Sequence, residues 1–400
     1  MNAVPTPSRS SESESGSMGL PVMDDPMRCR MINLPRLESL LATFPHLKIG
    51  LLGDLFLDRY LDIDAELPET SIETGLEAYQ VTRVRNSPGA LGTVINNLAA
   101  LGVGRLSPVT VLGDDGQAHD LLKELAGLPV DPQRIVRDPG RLTPTYTKPM
   151  RRDAAGVWRE LNRIDLRNRA PLCRATEERL LDLASEVFAE SDGLIVLDQV
   201  NEEGWGVVGP RLRDHLADLC RNQPGKLVFI DSRRHVRHFR CGVLKPNVGE
   251  CLAALGEPPP AADAPFDLEL AGRAALALSR QTGRPLFCTL GERGMLVVDC
   301  GSRIADRGLD VESAIRNPKS EIVHIPGFAV AGPVDVVGAG DSATAGIVAS
   351  LLAGATALEA ATVGNLVASI TVQQIGTTGS ASSEQVVARW RRVDERLMET

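Results

Sequence analysis

An α/β architecture, a mostly parallel sheet with helices on both faces, is what this sequence predicts, and three observations lead there. Short aliphatic runs recur and each stops at a polar residue: Lys48–Gly53 before Asp54, Val109–Gly113 before Asp114, Gly193–Leu197 before Asp198, Lys226–Ile230 before Asp231, Val243–Leu244 before Lys245, and Pro285–Leu290 before Gly291. Runs that are apolar at nearly every position suit strands buried on both faces. Stretches with helical spacing separate the runs, and strand–helix alternation builds a parallel sheet. Hydrophobic residues make up 43% of the chain but aromatics only 4%, so the core is built from small aliphatic side chains. In doubly wound sheets ligands bind at the carboxyl ends of the strands, which makes the polar residues that end the runs site candidates.

Taken in order, residues 1–33 are rich in Ser, Pro and Met without periodicity and read as a disordered tail. Ser11-Glu12-Ser13-Glu14-Ser15 occupies the place of the apolar core of a signal peptide. The folded domain is expected over 34–385, opening with a helix at Leu34–Thr43 and a first buried strand ending at Asp54, Asp58 and Arg59. From Leu61 to Arg85 the pattern turns to mixed polar and apolar residues, as in Tyr79–Val84, and predicts exposed antiparallel strands. Pro88–Gly92 then breaks into a helix, Thr93–Leu101, ended by Gly102. A second polar strand pair is expected over 143–164, with a turn near Gly156, and together the two pairs form a small β lid. Gly301–Ser320 reads as a polar surface excursion and 386–400 as a C-terminal helix or tail.

A net charge of −9 argues against nucleic acid as a partner, because phosphate backbones need a basic face. No apolar run approaches the roughly 18 residues of a membrane span, so no membrane partner is expected. Seven scattered cysteines without a Cys-x-x-Cys spacing argue against a disulfide framework or structural zinc and for a reducing, cytoplasmic setting. The P-loop signature is missing too.

Asp335-Val336-Val337-Gly338-Ala339-Gly340-Asp341-Ser342 leads into a helix with Ala343, Ile347 and Leu351 on one face. Glycines at a helix N-terminus let an anion approach unpaired amides, and a carboxylate there suits proton removal from an attacking hydroxyl. A tight turn with Asp as N-cap fits the same residues. Asn247-Val248-Gly249-Glu250 spaces an amide and a carboxylate one helical turn apart at a strand–helix junction, suited to a metal-bound water or a phosphate. Thr289-Leu290-Gly291-Glu292-Arg293-Gly294 is a strand end with a glycine turn.

Together these stretches resemble the PfkB, or ribokinase-like, carbohydrate kinases from about Lys48 to about Gly379. Gly338–Asp341 resembles the C-terminal signature, Asn247–Glu250 the Asn-x-x-Glu motif, and Thr289–Gly294 the nucleotide-holding segment. Within the family the chain is most similar to the kinase domain that phosphorylates D-glycero-D-manno-heptose 7-phosphate at O1 for ADP-heptose synthesis, through Gly53–Tyr60, Pro144–Lys148 and Arg163–Asp165. The resemblance implies ATP-dependent transfer to a sugar or sugar-phosphate hydroxyl, with Asp341 as base and Gly338, Ala339 and Gly340 stabilising charge. Asn247 and Glu250 are implied to hold Mg²⁺ through water. Thr289, Gly291, Gly294 and Asn365 are implied for the nucleotide, and Asp58, Gly89, Thr93, Lys148 and Arg163 for the acceptor. Gly376, Thr377 and Thr378 are implied for a monovalent-cation loop, and the lid edges for a homodimer. Arg151 and Arg152 are further phosphate candidates, the basic residues Arg233–Arg240 read as a solvated helix face, and Asp54 reads as structural. The chain departs from the family at Ala90 (a glycine there), Thr93 (an asparagine), Val337 (a threonine) and Ser71–Leu76 (a proline-rich segment), and too little sequence follows Gly379 for a fused nucleotidyltransferase domain. Two alternatives to a heptose phosphate kinase therefore stand: another sugar or nucleoside kinase of the family, and a non-catalytic sugar or nucleotide sensor.

Overall fold

The computed structural model of the chain describes residues 32–152, 156–258, 266–298, 322–376 and 378–398. Of the tail expected over 1–33, residues 1–31 lie outside the described residues, as do the Gly301–Ser320 excursion and Thr377, whereas Ile32 is buried and Asn33 caps the first helix, so the ordered chain begins before Leu34. The first half contains α1 (Leu34–Thr43), β1 (Lys48–Gly53), β2 (Leu55–Ile63), β3 (Glu69–Thr70), β4 (Glu77–Ala78), β5 (Val81–Ala90), α2 (Leu91–Ala100), β6 (Arg105–Leu112), α3 (Gly116–Leu125), β7 (Ile135–Arg137), β8 (Thr145–Arg152), β9 (Trp158–Glu160), β10 (Ile164–Leu166) and α4 (Arg174–Glu190). The second contains β11 (Gly193–Asp198), α5 (Pro210–Asn222), β12 (Leu227–Ser232), β13 (Val243–Leu244), α6 (Val248–Ala254), α7 (Leu268–Thr282), β14 (Leu286–Thr289), β15 (Met295–Val298), β16 (Ile322–Ile325), α8 (Ala339–Leu352), α9 (Ala357–Thr371) and α10 (Ser383–Met398).

Among the described residues the main sheet has nine strands in the order β16-β15-β14-β13-β12-β11-β1-β6-β7, parallel from β7 through β14 and antiparallel for β15 and β16. Alternation along each strand explains why its run is apolar throughout. Ile49 and Leu51 of β1, Ile195 and Leu197 of β11 and Phe229 of β12 point into one core with helices α2, α8 and α9, whereas Leu52, Leu194, Val196, Val228 and Ile230 point into the other with α4 and α5. Emptying one such position, as in Leu51→Ala, costs about 2–5 kcal/mol. The last helix is also tied in, since Val386 and Trp390 are buried and the Trp390 ring meets Phe328 edge-on at 6.3 Å.

The lid differs from the expectation in two respects. Its first strand starts at Leu55, immediately after Asp54, and not at Leu61, so Asp58 lies in the middle of β2 instead of at the end of the first buried strand. The apolar start Leu55-Phe56-Leu57 read as a continuation of the main sheet because the lid strand is itself buried there, against α2 and α3. The lid sheet, ordered β10-β8-β2-β5 with β9 on β8, is also mixed: β2 pairs antiparallel with β5 but parallel with β8. Val84 of β5 and Ile164 of β10, its two edge strands, leave apolar side chains exposed, as do Ile72 and Leu76 between β3 and β4.

Candidate active site

Helix α8 begins where the main sheet and the lid meet. Its N-cap Gly338 has φ 79°, in the left-handed region, and a Cβ there would stand 2.6 Å from Thr378 Cγ2, so conformation and space both require glycine. Asp335 holds the preceding loop by accepting from the Val337 N–H (3.1 Å) and the Gly376 N–H (3.3 Å). The Ala339 N–H is donated to Val336 O at 3.2 Å, which leaves Gly340 and Asp341 as the first-turn amides without an intrahelical acceptor. Ala343 and Ile347 anchor the helix in the core, as their spacing predicts.

Two strand ends bring charge to this terminus. Asp231 near the end of β12 and Lys245 after β13 form a buried ion pair at 2.8 Å, and the Thr344 hydroxyl of α8 donates to the same Asp231 oxygen at 3.4 Å. Lys245 Nζ lies 3.5 Å from where a Cβ on Gly340 would stand, so glycine there gives the ammonium access to the helix terminus. Burial and the repulsion of Asp231 push the Asp341 carboxyl up to about 7 against the pull of Lys245 and Arg233, and Asp58 adds to the rise. Asp341 nevertheless keeps part of its surface open to solvent. Burial works against the charge of Lys245, but attraction by Asp231, Glu250 and Asp341 outweighs it and raises its pKa.

Asn247 and Glu250 form a capping box on α6: Asn247 Oδ1 accepts from the Glu250 N–H (2.9 Å), and Glu250 Oε2 accepts from the Asn247 N–H (2.8 Å). The motif therefore has a structural role whatever else it does. Burial and Asp231 push the Glu250 carboxyl up to about 7, offset by the Asn247 amide, Lys245 and Arg233. Two buried carboxyl groups that both feel the charge of Asp231 would be relieved by a divalent cation. That donor set fits Mg²⁺, which keeps much of its water and is bound by one or two carboxylates with phosphates. Among the described residues no three His, Cys, Asp or Glu side chains group to cage an ion unaided.

On the lid side Asp58 is buried and pairs with Lys148 Nζ at 3.2 Å, and the same Nζ lies 3.2 Å from the Tyr60 hydroxyl. Lys148 is thus committed to Asp58. A Cβ on Gly89 would come within 2.7 Å of Asp58 Oδ2, so glycine opens the space beside that carboxylate. Ala90 is the sole non-glycine with positive φ among the described residues (φ 53°, ψ −115°), at the junction where the Leu91 N–H donates to Asp54 O at 3.0 Å. Thr93 is buried on α2, its Cγ2 3.3 Å from the Cβ position of Gly338. Arg163 points elsewhere: it pairs with Asp165 at 2.6 Å and lies over the Tyr146 ring at 4.5 Å. Arg151 pairs with Glu77 and Arg152 lies over Trp158.

The four residues expected on the nucleotide side converge on one strand end. The Thr289 N–H donates to Pro246 O at 2.9 Å, which sets it beside Asn247. Gly291 starts a short 3-10 turn at φ 64°, and Gly294, at φ 91°, packs so tightly that a Cβ would meet Ile325 O at 2.1 Å. Asn365 Nδ2 reaches Ile325 O and Pro326 O, both at 3.2 Å, and so helps fix the same segment. Asp54 is structural, as expected: its carboxylate accepts from the Gln199, Val200 and Val207 N–H groups, and burial followed by Asp198 pushes it up to about 6.

Asp231 and Lys245 are site candidates in the sequence only as residues that end aliphatic runs, without a role, and it is the structure that brings them together beside Asp341. The solvated-helix reading of Arg233–Arg240 is corrected: only a 3-10 turn, Val236–His238, forms there, and His235 is buried with Nδ1 3.2 Å from Asp198 Oδ2. Arg233 itself is exposed and acts on Asp341 and Glu250.

Residues 56–384 match the family described as pfkB family carbohydrate kinase. The chain is similar to the bifunctional protein HldE of Pelobacter propionicus, 30% identical over 342 residues that make up 84% of this chain and 62% of that protein. It is also similar to HldE of Geobacter metallireducens, 28% identical over 350 residues, 87% of this chain and 64% of that one. It thus spans less than two thirds of the length of these curated relatives. Its fold is similar to phosphofructokinase-2 from Escherichia coli in complex with potassium (TM-score 0.63, 18% identity, 87% of this chain and 99% of that one). It is likewise similar to Arabidopsis thaliana ribokinase complexed with ribose and ATP (TM-score 0.59, 16% identity, 86% and 98%).

Proposed function

The chain belongs to the pfkB family of carbohydrate kinases, and from that premise we propose that it transfers the γ-phosphoryl group of ATP to a sugar or sugar-phosphate hydroxyl at the N-terminus of α8. The observation that carries this reading is Asp341: a carboxylate raised to about 7, partly open to solvent, at the first turn of a helix beside a buried Lys–Asp pair. Such a group is suited to take a proton near neutral pH, since catalytic bases work best with a pKa near the operating pH.

In the proposed step the acceptor hydroxyl, oriented by Asp58, gives its proton to Asp341 as its oxygen bonds to the γ-phosphorus. The bond from that phosphorus to the bridging oxygen breaks, and its electron pair leaves with ADP. The amides of Gly340 and Asp341, the helix dipole and Lys245 stabilise the negative charge on the transferred group. Arg233 adds a second cation at the mouth. Glu250, with Asn247, is the group suited to hold Mg²⁺ through water, and the ion's contribution is to neutralise phosphate charge. The turn from Thr289 to Gly294 and Asn365 frame the nucleotide side.

The first acceptor to try is D-glycero-D-manno-heptose 7-phosphate, on the resemblance of Gly53–Tyr60, Pro144–Lys148 and Arg163–Asp165 to kinases of that sugar. The exposed apolar rim of the lid supports a homodimer through its edges. The test is ADP release by the purified protein with ATP, Mg²⁺ and a panel of heptose phosphate, hexoses, fructose phosphate and nucleosides. Turnover of heptose 7-phosphate above the others supports the proposal in full. Turnover of a nucleoside alone would falsify the sugar reading, and binding of ATP and sugar without turnover would favour a sensor.

A further inference from the structure

The loop in front of α8 is fastened from two sides. From within, Asp335 Oδ1 accepts from the Val337 N–H at 3.1 Å and Oδ2 from the Gly376 N–H at 3.3 Å, while the Asp335 N–H is donated to Val372 O at 2.8 Å. The carboxylate thus clips the chain just before Gly338 to the loop that follows α9. Gly376 stands at φ 73°, in the left-handed region where a side chain would be strained.

From the lid, Arg85 of β5 reaches the same glycine. Its guanidinium grips Asp62 of the neighbouring strand β2 as a fork, through Nη2 (2.8 Å) and Nε (3.1 Å), and lies over the Tyr60 ring at 4.8 Å. The fork fixes the remaining nitrogen, Nη1, which extends to Gly376 O at 3.4 Å. That length is long for a hydrogen bond, but a full positive charge beside a carbonyl oxygen is what an inorganic cation would offer there. Gly376 is therefore held at its N–H by an anion and at its C=O by a cation. Because β2 also carries Asp58, one guanidinium joins the acceptor strand to the loop that sets the first turn of α8.

The sequence resemblance implies a monovalent cation at the loop from Gly376 to Thr378, and the described residues there do not fit one. Holding such an ion takes several oxygens in place of its water. Here Gly376 O faces Arg85, Gly379 O accepts from Asn97 Nδ2 (3.2 Å), and both Asp335 carboxylate oxygens are spent on N–H groups. Gln374 closes the loop on itself: its Nε2 donates to Ser380 O (2.7 Å) and its Oε1 accepts from the Ser380 N–H (3.2 Å). Val337 brings no hydroxyl. Thr378 Oγ1 is buried without a partner, but one hydroxyl does not replace a water shell.

We propose that Arg85 is a positioning residue that serves this loop as a resident cation, seating the α8 terminus against the lid, so that the protein needs no monovalent metal ion. The inference goes beyond the kinase reading, because it concerns the bonding of the loop and is legible in stability as well as in rate. In a purely structural role Arg85 would neutralise Asp62, and no cation from solution would stand in for it.

The experiment measures thermal midpoints and, with ATP, Mg²⁺ and the acceptor that the panel identifies, kcat/KM, in potassium, sodium and N-methylglucamine chlorides at equal ionic strength. The wild type is expected to keep one midpoint and, within about twofold, one rate in every salt, since an ion that does not bind the folded state shifts neither. Arg85→Ala should lose about 100-fold in kcat/KM through a misplaced α8 terminus, and millimolar guanidinium, which fits the space the side chain leaves, should restore much of it. Guanidinium at that concentration should also raise the midpoint of Arg85→Ala and leave the wild type unmoved. Arg85→Lys keeps a cation on Asp62 and should retain more of the rate than Arg85→Ala. A wild type that gains midpoint or rate in potassium overturns the inference, a readout that stands even if Arg85→Ala fails to fold. Folded Arg85→Ala that guanidinium restores in neither midpoint nor rate overturns it too. A protein that turns over no sugar fails the kinase reading, and the midpoints still decide this inference.

Discussion

At the α8 end of the site Asp231, Lys245, Glu250 and Asp341 crowd together with more negative than positive charge, whereas at the lid end Asp58, Lys148 and Tyr60 satisfy one another. Burial, and after it the repulsion of Asp231, pushes two carboxyl groups up to about 7 at the first end. The difference teaches where chemistry and where recognition belong. Charge held out of balance on strand ends and a helix terminus is poised for a proton and a phosphate, and balanced charge on a lid strand is poised to orient hydroxyls. What the lid end lacks in charge it carries instead as backbone strain at Ala90.

Four experiments can break or sharpen that contrast. Asp341→Asn removes the poised carboxylate and should lower kcat by about 10²–10⁴ with the fold intact by circular dichroism; a variant with full sugar-kinase turnover would remove Asp341 from the reaction. Lys245→Met leaves Asp231 buried without its cation, and urea unfolding should show a loss of about 3–5 kcal/mol. A loss no larger than that of an exposed pair would mean that the charge there is better compensated than the geometry implies.

The third is pH. With Asp341 near 7, kcat/KM should fall about tenfold per pH unit below neutrality, with the break moved in variants that alter Lys245. Stability should run the other way. Asp341 and Glu250 rise from 3.8 and 4.5 to about 7 on folding, so between about pH 4 and 7 the folded state binds more protons than the unfolded one. Their contribution is fully present below the unfolded values and is lost as pH rises through 7. Denaturation midpoints should therefore decline over that window, and less steeply in Asp341→Asn. A flat profile would show that folding does not raise these two carboxyl groups.

The smallest effect belongs to the lid end. Ala90→Gly relieves a positive φ and should stabilise the protein by about 1 kcal/mol in urea unfolding, a net of relieved strain and added chain entropy. Destabilisation would mean that the Ala90 methyl, packed against the main core, outweighs the strain.

Much of the first end was legible beforehand. Gly338–Asp341 stands on α8 as the glycines and the helical spacing indicate, and Asn247–Glu250 and Thr289–Gly294 stand at strand-to-helix and strand-to-turn junctions. The lid was harder. Leu55–Leu57 looks like a main-sheet strand because a buried lid strand has the same local apolar pattern, and nothing local says that Lys148 spends its charge on Asp58. Arg233 and His235 lie two residues apart in one basic run, yet one faces the site and solvent and the other is buried on Asp198.

By itself the sequence determined the layered α/β class, the succession of strands and the glycine–aspartate helix terminus, because periodicity, chain stiffness and backbone freedom are local properties. The tertiary structure alone decided which charges meet: Asp231 with Lys245 and Asp341, and Lys148 with Asp58. Those pairings join residues up to about a hundred positions apart, and their energies depend on burial and mutual distance, which exist only once the sheet has folded.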